Sequence, residues 1–152
     1  MTPVDTLAGA IGRGLLAGLA GTAAMTVSST LEARLRGRAP SSAPARATTR
    51  VLGIREFDSD LAQARWSDLS HWGYGTGWGV LRGLLGELPL SPRAATVAHG
   101  AAIYGAAQVT LPALDVVPPS IFWGTKEIAI DALHHAVYAT ATGLAYTLMT
   151  KP

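Results

Sequence analysis

The sequence contains no cysteine, which excludes disulfides, thiolate metal sites and covalent haem attachment together. It is also short of charge, because only 14% of its 152 residues are Asp, Glu, Lys or Arg, against about 25% in an ordinary soluble protein. A formal net charge of +2 is too small to suggest a nucleic-acid partner. No internal repeat relates the two halves, and there is no low-complexity tract.

The missing charge is absent in blocks. Uncharged stretches run from Gly14 to Leu31, from Leu69 to Leu81, from Ala94 to Leu114 and from Ala132 to Thr150. Three of the four reach the roughly 18 residues with which a helix crosses a hydrocarbon core of about 30 Å. The second reaches it if Arg82 snorkels outward and the span continues to Leu88. Alanine, glycine and threonine fill these stretches in place of leucine, yet none carries the charged face that a surface helix shows to water. The expectation is an all-α protein: a single integral membrane domain, a bundle of four transmembrane helices over residues 11–31, 67–88, 93–114 and 126–150. Arg13 and the following "GLLAGLAGTAAM" have the outline of a signal peptide. Asp5 and the lack of a small-x-small cleavage site after the apolar run favour a permanent first span.

Orientation follows from arginine. Seven of them, at 34, 36, 38, 46, 50, 55 and 65, lie in the loop 32–66, and no other connection holds more than two basic residues. The positive-inside rule makes this loop cytoplasmic and places both termini outside. Within it, "SSAPARATTRVLG" has serines to cap, a proline for the first turn and Gly53 to terminate, which predicts a short helix. Arg46 and Arg50 share one face of that helix. With Arg34, Arg36 and Arg38 they offer contacts to anionic lipid headgroups or a protein partner, although the plainer role is to set topology. A second helix starts near Ser59 or Asp60 and runs unbroken into the second span. Trp66, Trp72, Phe122 and Trp123 suit the inner membrane interface. Pro89 and Pro92 separate the second and third spans, Pro112 sits in the last turn of the third, and Pro118 and Pro119 precede the fourth.

The stretch "HWGYGTGWG", His71 to Gly79, has the wrong spacing for a phosphate loop and lacks its lysine. Its "GYG" lacks the Thr-Val of a potassium filter and lies inside a span. Read as a helix, Gly73 and Gly77 form one GxxxG row, and Gly75, Gly79 and Gly83 another. Gly14 and Gly18, followed by Thr22 and Thr26, form a matching row in the first span. Such rows let two backbones approach closely in lipid, where little else drives helices together.

Titratable residues inside spans invite a functional reading. In "KEIAIDALHHAVY", Glu127, Asp131, His134, His135 and Tyr138 share a broad helical stripe. Glu32 closes the first span and His71 opens the second at the same side, so six ligands from three helices are expected at one depth. Carboxylates and imidazoles so placed build metal sites in helical bundles, although the Asp131-x-x-His134 pairing occurs once and di-iron proteins use theirs twice. A haem between His71 and His134 or His135 is a second use, and a proton relay a third. The plain alternative is that these residues are interfacial or merely hold helices together. His99 has no evident partner at its depth.

The first span with its tail, "GLLAGLAGTAAMTVSSTLEARLRGRAPSSAP", together with "HWGYGTGWG" and "KEIAIDALHHAVYATATG", resembles the small four-span membrane proteins of actinobacterial genomes. More distantly it is similar to the YagU-like inner-membrane family of unknown function. The resemblance implies a multi-pass protein of a bacterial inner membrane and supplies no catalytic residues. The function expected is that of a non-enzymatic membrane protein, homo-oligomeric or an accessory subunit of a membrane complex, because its glycine faces exceed what four helices need among themselves. The alternatives are a metal- or haem-binding bundle and a proton-linked transporter working as an oligomer.

Overall fold

The computed structural model describes residues 3–150. Among the described residues every regular element is helical: α1 (Pro3–Leu35), α2 (Ala43–Leu52), α3 (Asp60–Gly86), α4 (Pro92–Ala113) and α5 (Thr125–Thr150), with a single 3-10 turn at Ser120–Phe122. Helix starts follow local chemistry. The Ser59 hydroxyl accepts from the Ala62 amide and the Ser91 hydroxyl from the Ala94 amide, satisfying donors that the first turn of a helix leaves free. Pro92 follows at the head of α4, where a missing N–H costs nothing. Gly53 ends α2 in the left-handed conformation, at φ 66°. Pro112 lies within the last turn of α4 and the helix still reaches Ala113.

The four long helices pack as an up-down-up-down bundle. α1 lies between α3 and α5, and α4 closes the square against the other sides of both. Paired residues give the directions: Ala10 meets Gly83 and Thr22 meets Gly75, so α1 and α3 are antiparallel. Thr96 meets Gly143 and Gly100 meets Ala139, so α4 and α5 are antiparallel too. One end, the turn end, carries the α3–α4 turn. The loop end carries the C-terminus of α1 and the start of α5, and beside it α2 docks on α3 through Thr48–Ser70 (2.8 Å) and Trp66–Thr49 (3.0 Å) hydrogen bonds.

The α1–α3 seam is backbone against backbone. A Cβ on Gly79 would lie 2.7 Å from the Gly18 Cα, and one on Gly18 would lie 2.8 Å from the Gly79 Cα. The row Gly75, Gly79, Gly83 therefore meets the row Ala10, Gly14, Gly18, Thr22. Gly73 and Gly77 differ: nothing lies within 4 Å of a Cβ built on either, and they form an open face with Tyr74, Trp78 and Leu81.

The interior is small and polar, and the large apolar side chains point out. The largest fully buried side chains are Arg82, His99, Thr22 and Thr142, whereas Leu16 is 61% exposed, Val97 72%, Val109 69% and Leu144 60%. Among the described residues one helix, α1 over Thr6–Leu35, is by length and composition apolar enough to cross a membrane, and only 28% of its most apolar stretch is buried. Helices α3, α4 and α5 have 27, 22 and 26 residues, long enough for about 30 Å at 1.5 Å per residue. Their glycines, threonines and histidines dilute their apolarity below that of α1.

Candidate functional site

Two polar centres lie at the two ends of the bundle, the one at the loop end partly exposed and the other buried. At the loop end, Glu32 and Glu127 are joined through arginine. Arg36 donates to Glu32 Oε1 at 2.9 Å and to Glu127 Oε2 at 3.0 Å, with a further short contact to Glu127. Arg38 donates through Nε to Glu32 Oε1 at 3.2 Å and makes a second, shorter contact through Nη2. The Arg38 and Arg36 guanidiniums hold the Glu32 carboxyl down to about 2, outweighing its partial burial, and Arg36 is correspondingly raised by its two carboxylates. Both carboxylates are thus occupied by guanidinium. Arg34, Arg46 and Arg50 make no ion pair or side-chain hydrogen bond among the described residues.

The histidines separate. His134 is buried, its Nδ1 2.9 Å from the Ser28 hydroxyl and its Nε2 3.8 Å from Glu32 Oε2. His71 Nε2 lies 2.7 Å from the Thr26 hydroxyl, whose own proton goes to the Thr22 carbonyl at 2.7 Å, so His71 is the donor. Ser28 and Thr26 are two residues apart on α1, roughly 200° around a helix of 3.6 residues per turn. Helix α1 therefore stands between His71 and His134, and these imidazoles do not face a common iron. His135 turns toward α4, donating through Nδ1 to the Asp131 carbonyl at 2.8 Å and meeting the Tyr104 ring at 5.3 Å. Asp131 accepts from Gln108 Nε2 at 3.1 Å. The six residues expected at one depth divide into a Glu32–Glu127–His134 group, an Asp131–His135 pair and His71. Among the described residues no group of three or more His, Asp or Glu is arranged to hold a metal ion.

The centre nearer the turn end comes from residues read otherwise in the sequence. Arg82, expected to snorkel to the surface, is 1% exposed, and its guanidinium carbon stands 4.4 Å from the centroid of the Tyr146 ring. It points inward because it sits between Gly79 and Gly83, on the side of α3 covered by its neighbours. His99, expected to lack a partner, is fully buried with Nε2 3.0 Å from the Trp78 carbonyl. Its ring lies 5.8 Å from that of Tyr138. The signal for His99 was its spacing, since Ala95, His99, Ile103 and Ala107, all buried, recur every four residues.

On α5 the inward residues His134, Tyr138, Thr142 and Tyr146 also recur every four and are buried. They form a polar stripe along the bundle axis. Tyr138 donates to the Gly75 carbonyl at 2.5 Å and Tyr146 to the Gly83 carbonyl at 3.3 Å. The glycine row of α3 thereby takes the backbone of α1 on one side and the hydroxyls of α5 on the other.

No protein-family model, curated protein or solved structure matches the chain.

Proposed function

We propose that the chain is a small polytopic membrane protein, its four long helices spanning a bacterial inner membrane, and that it works as a homo-oligomer or as the accessory subunit of a membrane complex. The observation that carries this reading is the reversed distribution of side chains. Leucines and valines face outward on every long helix, while the largest wholly buried side chains are an arginine, a histidine and two threonines. In water each exposed leucine or valine would forgo roughly 1.5–3 kcal/mol of burial, and contiguous apolar surface of that kind marks contact with something other than water. In lipid the arrangement is consistent, because small residues bring helices together and polar residues face the interior. On this reading the arginine loop is cytoplasmic and both termini lie outside. The open Gly73–Gly77 face supplies a surface for a further helix, from a second copy or from a larger assembly.

Native membranes carrying the protein test both parts. Alkaline carbonate should leave the chain in the pellet, and a lipid-soluble cross-linker should trap a species larger than one chain. Release into the supernatant overturns the membrane reading; retention with a strictly solitary chain overturns the subunit reading alone.

A second reading, a proton-linked transporter, is favoured by the α5 stripe, since titratable residues in line along a span are the usual material of proton paths. The metal and haem readings gain no support from the geometry, because the carboxylates of Glu32 and Glu127 are bound by arginine, α1 stands between His71 and His134, and His135 turns toward Tyr104 of α4.

A further inference from the structure

Helix α2 is attached to the bundle the wrong way round for water. It has two large apolar side chains, Val51 and Leu52, and both are exposed, at 68% and 63%. The contacts that hold it are hydroxyls instead: Thr48 bonds to the Ser70 hydroxyl at 2.8 Å, and Thr49 accepts from the Trp66 indole at 3.0 Å. No residue of α2 is buried. A short helix docked in water is stabilised chiefly by turning its apolar side chains onto the protein, and α2 does the reverse.

Its charge is equally one-sided. Arg46 and Arg50 stand one turn apart and exposed, and neither takes part in an ion pair among the described residues. The helix contains no acidic residue. The neighbouring tail of α1 differs, because Arg36 and Arg38 are held there by Glu32 and Glu127. The remaining acids of the loop and the start of α3, Glu56, Asp58, Asp60 and Asp68, form no salt bridge with α2. Two permanent positive charges and two apolar side chains on one short helix are thus left for something outside the chain.

Water suits the arginines and not Val51 or Leu52. An anionic lipid surface suits both, since guanidiniums bond phosphates while apolar side chains enter the boundary between headgroups and acyl chains. Trp66, against which α2 rests, is an amphipathic ring of the kind that favours the same level. We propose that α2 is an interfacial helix that docks on anionic phospholipid headgroups through Arg46 and Arg50, with Val51 and Leu52 set into the acyl boundary. The proposal rests on the membrane reading, which brings the loop end of the bundle to the headgroup level.

The test uses the whole protein reconstituted in phosphatidylcholine vesicles, with Trp66 as its only tryptophan after Trp72→Phe, Trp78→Phe and Trp123→Phe. A minor fraction of the lipid carries bromine on its acyl chains, as phosphatidylglycerol in one set and phosphatidylcholine in the other, and quenching of Trp66 is read. At low salt the anionic bromolipid should quench as strongly as a roughly fivefold larger fraction of the zwitterionic one, the preference that a single arginine near the surface confers. Salt should weaken that preference. Arg46→Gln combined with Arg50→Gln should remove it and leave quenching by the zwitterionic lipid unchanged; both arginines are exposed and unpaired, so this variant should fold as the parent does. Equal quenching by the two lipids, as expected if α2 serves an acidic protein instead, or a preference kept by the arginine variant, overturns the lipid dock and leaves the membrane reading in place. Quenching by neither lipid overturns both. Should the tryptophan variant fail to fold, the same comparison on the native set of tryptophans decides the question.

Discussion

At the residue scale, Glu32 shows how a carboxylate holds the arginine that ties two helices, since Arg36 bonds both Glu32 and, on α5, Glu127. Arg38 and Arg36 depress the Glu32 carboxyl from an ordinary value near 4.5 to about 2. A depressed carboxylate stabilises the folded state above its unfolded value, and that contribution disappears as pH falls through the folded one. Glu32→Gln should therefore lower the thermal midpoint at pH 7, and the gap to the parent should narrow between pH 4.5 and 2. A gap that does not change with pH would show that the pairing is incidental. Glycines give a second residue-scale contrast. Gly79→Val places side-chain atoms against the Gly18 backbone, which has no flexible end to move aside, and should destabilise by roughly 1–3 kcal/mol. Gly77→Ala meets nothing and should be neutral or stabilising by up to about 1 kcal/mol through helix propensity. Unfolding of the two purified variants measures the difference, and equal effects would contradict the seam assignment.

At the scale of the element, boundaries and periodicities were legible in the sequence, and partners were not. Ser59, Ser91, Pro92 and Gly53 act on the backbone within a turn of themselves, so the all-helical character could be read locally. The recurrence of Gly75, Gly79 and Gly83 is equally plain in sequence, but so is that of Gly73 and Gly77, and only contact with α1 distinguishes the rows. The same limit affected the polar residues. Spacing put Glu127, Asp131, His134, His135 and Tyr138 on one stripe, yet three neighbours divide that stripe: Arg36 takes Glu127, α4 takes Asp131 and His135, and the interior takes His134 and Tyr138. Arg82 was misplaced because charge alone suggests a surface position, and burial depends on which face of α3 the other helices cover. For α5 itself, a proton path along its stripe requires His134. In liposomes, His134→Gln should reduce proton flux at least severalfold relative to the parent, and unchanged flux would end the transporter reading.

At the scale of the whole molecule, stability and orientation share one cause, a bundle whose adhesive residues are small or polar and whose leucines face away. Such a chain has little apolar interior to exclude from water, and its helices hold through close backbone contact and hydrogen bonds. The arginine network lies at the loop end of the bundle and the Arg13–Glu87 pair at the turn end. The lack of native cysteine allows a single introduced thiol to report on its own surroundings. Leu16→Cys and Leu144→Cys, each carrying a nitroxide in reconstituted protein, measure the account's central claim directly. If these faces contact lipid, relaxation of the label will be accelerated by oxygen and scarcely affected by a water-soluble nickel chelate; a chelate that reaches both labels as readily as oxygen does would contradict it.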